Sequence, residues 1–309
     1  MTAEYQAVVY TEYGGPEVLH VVDRKVTDPG PGEVRIAVRA AGLNPLDWKI
    51  RTGAMAAMRP VEFPVVPGMD VAGVVEQIGA AVTEFRPGDE VLGTTAQGSF
   101  AEYVLAETGT LAKKPAGLSW DSAAALPVVA TTAYRVLNLL ELKPQETLLI
   151  DGVAGGVGTI AVQLAAKRGL TVIGTCREDN HEYVRSLGAT PVSYGDGLAD
   201  RVRAAAPQGV DAALDASGRG SLPTLVELTG DAGRVIAIAG RPAVPGVRFS
   251  AGNDGEVPGS LAEAAELAAR GELKLPVHSE PFSAEGAAEL HRRSETGHTR
   301  GKLVLHFGA

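Results

Sequence analysis

Val34, Ile36 and Val38 alternate with Arg35, Ala37 and Arg39, the period-two pattern of a strand with one face buried and one in water. The run DPGPGE, 28–33, is a turn signal just ahead of it. VAGVVEQIG (71–79) and SFAEYVLAE (99–107) predict further short strands, and RPGDEVLG (86–93) reads as a turn leading into another. Short strands punctuated by glycine and proline predict a small barrel or a folded sheet over the first third of the chain. Near Leu118 the period changes: LSWDSAAALPVVATTAYRVLNLL has helical spacing, with Ser119 or Asp121 as its start signal. From there, strand-like runs at 148–150, 171–175, 191–194, 211–215 and 234–239 alternate with helical runs. Spacings of about 20 residues between such runs predict βα units around a parallel sheet. AEAAELAAR (262–270) is an alanine-rich helix, and the closing GKLVLHFGA reads as a strand that returns to the first domain.

One segment of this pattern carries chemistry. LLIDGVAGGVG, 148–158, sets an apolar strand against a loop with four glycines, and Ile160, Val162 and Leu164 then help pack a helix from about Val157. Glycine keeps side chains off a pyrophosphate, and the N-terminus of the next helix offers free N–H groups and a positive dipole end. Counting back from Gly158 gives Gly155, but Val153 stands where the first glycine of a dinucleotide fingerprint belongs. A dinucleotide loop and a plain glycine-rich strand–helix turn both fit these residues, and the strand–helix series that follows favours the first. The second strand ends TVIGTCREDN, so Thr175 and Cys176 hold the place where an NAD site sets an acid, and Arg177 follows. An arginine there suits a 2′-phosphate and predicts NADP(H). Glu178 argues the other way, since a shift of one residue makes it the ribose acid; Arg177 as a solvated charge at a helix start is the plain alternative.

Length and composition narrow the class. The chain has 309 residues, room for about two domains, with 45% hydrophobic and 21% charged residues, a globular profile. A formal net charge of −9 disfavours nucleic-acid binding. The opening MTAEYQAVVYTEYGG has neither basic nor apolar targeting character, and no apolar run approaches the roughly 18 residues of a membrane span. The single cysteine, Cys176, excludes an intrachain disulfide and any multi-cysteine metal site, and fits a cytoplasmic protein.

Taken in order, AAGLNPLDWKIRTG (40–53), FPVVPGMDVAGVVEQIG (63–79), FRPGDEVLG (85–93), GSFAEYV (98–104), LPVVATTAYRVL (126–137), GVAGGVG (152–158) and GHTRGKLVLHF (297–307) resemble the medium-chain dehydrogenase/reductase superfamily. The match is to its zinc-free quinone oxidoreductase branch, the zeta-crystallin-like proteins, and it spans almost the whole chain. The resemblance implies an α/β protein of two domains. A GroES-like β-rich domain covers 1–121 and is closed by 255–309; a Rossmann domain with a doubly wound parallel sheet is inserted at 122–254, with the cofactor in the cleft between them. It implies that Thr131 touches the nicotinamide side, that Gly152, Ala154, Gly155, Gly156 and Val157 hold the pyrophosphate, and that Arg177 and Tyr194 flank the adenosine phosphate. Ala239 and Gly240 end the fifth strand on the nicotinamide side, and Lys302 reaches a cofactor phosphate. Tyr194 as a strand-end aromatic and Lys302 as an exposed strand lysine are the plain readings.

Zinc-dependent relatives carry a cysteine where this chain has Asn44 and a His-Glu pair where it has Met69-Asp70. Only TTAQ, 94–97, stands where a structural-zinc lobe would be inserted. Asparagine and methionine are poor zinc ligands, so no metal is expected. Without a Lewis acid, quinones and α,β-unsaturated carbonyls are the easier hydride acceptors, because conjugation spreads the incoming charge onto an oxygen. Asn44 and Asp47 are the catalytic candidates, one as an amide donor and one orienting the cofactor or a neighbour; a simple Asn-Pro turn and a helix-start acid are the alternatives. Trp48 and the small apolar segment 53–63 wall a flat pocket or simply pack. The expected activity is NADPH-dependent reduction of a quinone or enone. An enoyl or ketone reductase of a biosynthetic pathway, and an NADPH-binding protein without turnover, stay open. GRVIAIAG (233–240) is expected to pair with its copy in a homodimer.

Overall fold

The computed structural model describes residues 4–252 and 254–308. They form two compact units, 4–128 with 261–308, and 129–252 with 254–260; the expected borders stood at 121/122 and 254/255.

The first unit holds β1 (Glu4–Val9), β2 (His20–Lys25), β3 (Glu33–Leu43), α1 (Pro45–Arg51), β4 (Asp70–Ile78), β5 (Glu90–Thr94), β6 (Tyr103–Glu107), β7 (Leu111–Lys113) and α2 (Trp120–Ala125). The chain then leaves along α3 (Pro127–Leu140). The second unit contains β8 (Thr147–Asp151), α4 (Gly156–Lys167), β9 (Thr171–Cys176), α5 (His181–Ser186), β10 (Thr190–Ser193), α6 (Leu198–Ala205), β11 (Ala212–Asp215), α7 (Leu222–Thr229), β12 (Val235–Ala237) and β13 (Arg248–Phe249). After α8 (Ser260–Ala269), the elements β14 (Val277–Pro281), α9 (Ala284–Glu295) and β15 (Lys302–His306) belong to the first unit.

β3 organises the first unit. Eleven residues long, it pairs β4 along most of its length, β6 over its first half and β15 over its second. Two register shifts, at Arg35/Ile36 and Val38/Ala40, bend it so that each half can face a different neighbour. This is the folded sheet that the short strands predict, and β15 returns to it as expected. The alternating residues Val34, Ile36 and Val38 are its core face. One anchor crosses 240 residues of sequence: the Arg51 side chain, closing α1 and wholly shielded from solvent, donates from Nε to His291 Nδ1 on α9 at 3.2 Å. Its Nη1 donates to the Gly14 carbonyl and its Nη2 to Glu295. Burial, helped by the Arg51 cation, pushes the His291 pKa down to about 3.

In the second unit every strand pair is parallel, in the order β10-β9-β8-β11-β12-β13. The chain winds outward from β8 to β10, returns beside β8 and winds the other way, so β8 and β11 flank the switch point where open α/β sheets bind ligands. The doubly wound expectation holds. Three details of the expected elements change. The single helix at 118–140 is two, parted at Leu126 before Pro127: Leu126 keeps helical dihedrals, but Pro127 has no N–H to continue the hydrogen-bond ladder. The strand expected at 99–107 begins at Tyr103. The fifth strand stops at Ala237, so Ala239 and Gly240 follow it rather than end it, and β12 is not an edge. β13 covers it, with Ile236 against Arg248 and Ala237 against Phe249. Pairing of 233–240 with a second copy is therefore corrected: the exposed edge is β13.

Candidate active site

The glycine loop opens at Asp151, the last residue of β8. Gly152 adopts φ +83°, a conformation open to glycine, and a Cβ there would stand 3.2 Å from the Ser217 backbone. Val153 is fully buried, and its methyl carbons lie 2.7 Å from where a Cβ on Gly174 would be. The glycine missing from the loop is thus matched by one in the neighbouring strand. Ala154 is buried, and Gly155 caps α4 without a side-chain hydrogen bond, so no cap side chain takes the amides of the first turn at Gly156 and Val157. A Cβ on Gly158 would meet the Gly152 carbonyl oxygen at 2.6 Å. Helix and strand approach each other here as closely as glycine permits, and an uncapped amide end is left for an anion.

β9 and β10 end side by side, with Cys176 opposite Ser193. The next residue on each, Arg177 and Tyr194, is exposed, and Arg177 pairs with Asp179 at 3.1 Å. Register therefore brings the two adenosine-end candidates to adjacent strand ends. Thr175 points the other way: fully buried, it accepts from Gly152 N–H at 3.1 Å and donates to Asp151. Asp151 also accepts from Ser217 Oγ and, at 2.6 Å, from Ser221 Oγ. Asp215, its register partner on β11, accepts from Ser217 N–H at 3.0 Å and Gly218 N–H at 2.8 Å, and burial raises its pKa. The sequence reading missed this hydroxyl-rich ring. Its signal was the acid closing each of two apolar runs, LLID and AALD. Ala239 lies against Gly218, whose Cβ would stand 2.8 Å from the alanine's own. Gly240 is exposed beyond it, and Thr131 is half-buried on α3.

The first unit, taken by itself, holds a buried polar cluster. Asn44 follows β3 and caps α1, with Pro45 at the first helical position; its backbone N–H donates to Asp47 Oδ2 at 2.7 Å. Asn44 Nδ2 donates to Asp70 Oδ2 at 2.9 Å, and Val128 N–H donates to Asp70 Oδ1 at 3.0 Å. Lys302 Nζ lies 2.8 Å from each of three acceptors, the Leu43 carbonyl, Asn44 Oδ1 and Asp70 Oδ2. Sheet register builds the cluster: Gly42 faces Asp70, and Leu43 faces Leu303 beside Lys302. Lys302 is only 4% exposed and its ammonium donates to three acceptors inside this cluster, so it is not an exposed strand lysine. Asp47 is buried, and desolvation lifts its pKa to about 7 against the pull of the Asn44 N–H, Lys302 and the Gly68 N–H, with Asp70 adding to the rise. Trp48 has Lys49 Nζ 5.8 Å from its ring centroid. The segment 53–63 leaves Met58 and Phe63 exposed, with Phe63 edge-on to Tyr13.

Two buried groups of this unit titrate in opposite senses. Asp47 is raised from 3.8 to about 7, so its contribution to stability is full below 3.8 and is lost as pH rises toward 7. His291 is lowered from 6.5 to about 3, so its contribution is full above 6.5 and is lost as pH falls toward 3. Over the shared window the two slopes oppose. Asp47→Asn removes one, so the melting temperature of that variant should climb with pH between 3.8 and 6.5 more steeply than that of the unchanged protein. Parallel profiles in a thermal-melt series would count against the assignment.

Comparison with known proteins agrees with this layout. Residues 30–116 match the alcohol dehydrogenase GroES-like domain, and 156–254 match the zinc-binding dehydrogenase family. The 2-methylene-furan-3-one reductase of Solanum lycopersicum is 33% identical over 98% of this chain and 79% of its own length. The chloroplastic NADPH-dependent alkenal/one oxidoreductase of Arabidopsis thaliana is 34% identical over 98% of this chain and 80% of its own. The Escherichia coli quinone oxidoreductase, solved with NADPH, superposes with a TM-score of 0.85 at 26% identity over 97% of this chain and 99% of that one.

Proposed function

The chain belongs to the medium-chain dehydrogenase/reductase superfamily, in its quinone oxidoreductase-like part, and on that footing we propose that it is an NADPH-dependent oxidoreductase that passes a hydride to a quinone or an α,β-unsaturated carbonyl. The observation that carries this reading is the dinucleotide cradle: an uncapped α4, Gly158 packed on the strand end, and Arg177 and Tyr194 at neighbouring strand ends. When bound, the dinucleotide supplies the hydride. Gly156 and Val157 take the pyrophosphate on their amides, with Gly152, Ala154 and Gly155 keeping bulk off it. Arg177 pairs the 2′-phosphate, and Tyr194 covers the adenosine. Thr131, Ala239 and Gly240 serve the nicotinamide side. Asn44 donates an amide hydrogen to the acceptor oxygen, while Asp47 holds a proton into the neutral range beside it.

The residues at the inherited metal position do not fit zinc. Asp70 Oδ2 already holds the Lys302 ammonium and the Asn44 amide, Met69 offers a thioether, and a dication beside that ammonium would be repelled. We therefore read the activity as zinc-independent. A homodimer pairing along β13, where Phe249 is exposed, and a cytoplasmic location consistent with the single buried Cys176 complete the reading. No helix among the described residues is long and apolar enough to cross a membrane.

The test is NADPH consumption by purified protein with a panel of quinones and enones, with NADH and a chelator as controls. Turnover with NADPH that ignores the chelator supports the reading; tight NADPH binding without turnover on any acceptor overturns it. In the same assay Arg177→Ala should raise the KM for NADPH roughly 10- to 100-fold, the worth of a charge-assisted pair, and leave NADH nearly unchanged. Equal losses with both cofactors would remove Arg177 from the phosphate site.

A further inference from the structure

The Asn44 carboxamide is held in one sense by charge. Its oxygen faces the Lys302 ammonium at 2.8 Å and its nitrogen faces the Asp70 carboxylate at 2.9 Å. The flipped amide would set N–H against ammonium and C=O against carboxylate, two repulsive contacts in a buried site. With one N–H on Asp70, the second has no partner among the described residues. Lys302 comes from β15 and Asp70 from β4, so two strands far apart in sequence clamp the residue that joins β3 to α1. Among the described residues the ammonium has no other carboxylate in hydrogen-bond reach, and Asp70 is fully buried.

We propose that Lys302 and Asp70 are positioning residues: their buried ion pair takes the place of a metal and locks the Asn44 amide as a hydrogen-bond donor to the acceptor oxygen. The catalytic part of this rests on the reductase reading above; the locking of the amide does not. The pair also sets the field at Asp47, which is faced by Lys302, by Asp70 and by Tyr10. Removing the Lys302 cation should move the Asp47 titration up in pH, and neutralising Asp70 should move it down. A role in holding the fold alone would not give opposite shifts.

The experiment uses the full chain as Lys302→Met, Asp70→Asn and the double variant, which buries no unpaired charge and carries the test where Lys302→Met fails to fold. Three readouts are taken: NADPH affinity by fluorescence, the pH profile of kcat with a quinone acceptor, and the side-chain amide NMR pair of Asn44, assigned by its loss in Asn44→Asp. NADPH affinity should stay within about two-fold, while kcat falls about 10- to 100-fold, the loss of one oriented donor. The pH profiles of the two single variants should move in opposite directions, and the Asn44 amide protons, slow to exchange in the unchanged protein, should exchange quickly in each variant. Unchanged kcat, pH shifts of the same sign, or undisturbed amide exchange would each overturn the proposal. If the amide behaves as expected but the unchanged protein reduces no quinone or enone, the lock stands and the reductase reading falls.

Discussion

Arg51→Met should destabilise the protein by roughly 3–5 kcal/mol, the usual cost of removing one partner from a buried charged network. The side chain is fully shielded and serves three acceptors in three directions, Gly14 O, His291 Nδ1 and Glu295. Methionine fills much of the volume and satisfies none of them. Since His291 accepts at Nδ1 and is neutral, its proton sits on Nε2, which is buried without a partner among the described residues; the substitution would leave both ring nitrogens unsatisfied. Against a total stability of about 5–15 kcal/mol, such a loss reaches a large fraction of the whole. Urea unfolding followed by tryptophan fluorescence measures it. Arg51→Lys should recover little, because a single ammonium cannot reproduce the planar fork. A loss below about 1 kcal/mol would mean that the network contributes no more than an exposed pair.

Gly158→Val should abolish tight NADPH binding, lowering affinity at least 100-fold, about 2.7 kcal/mol. The new Cβ would stand 2.6 Å from the Gly152 oxygen and 2.7 Å from Val153 Cα, both backbone atoms that no side-chain rotation can clear. α4 would have to move off the sheet, carrying the amides of Gly156 and Val157 with it. Overpacking of this kind also costs about 1–3 kcal/mol in stability. Gly155→Ala is the control. Its Cβ would lie 3.5 Å from the Gly152 oxygen, an ordinary contact, and φ at 155 is −72°, open to any residue. Near-native NADPH binding by Gly158→Val in a fluorescence titration would sink the account of the loop; a loss in Gly155→Ala as large as that in Gly158→Val would locate the effect elsewhere.

Much of the fold was legible because its causes are local. Each run expected from 148 to 239 became a strand within a few residues, since apolar runs between glycine-rich turns have few other solutions. The start of α4 was legible from glycine chemistry alone. What escaped depends on contacts between distant segments. β13 is two exposed residues with no apolar pattern, so nothing in 248–249 announced that it would cover β12. Lys302 reads as a strand lysine until register sets it opposite Asn44 and Asp70, 258 and 232 residues away. Nothing in the sequence near Arg51 or His291 announces that the two meet across 240 residues.

The contact between Val153 and Gly174 bears on how such loops are found in other sequences. The volume of a valine side chain sits in a space that a loop residue and a strand residue share, and either can fill it. A chain with glycine at 153 is then free to carry a methyl or more at 174, whereas one with valine at 153 must leave 174 bare. A search string written for the loop alone scores this protein as defective. A rule written for the pair, constraining the sum of two side-chain sizes 21 positions apart, scores it as intact.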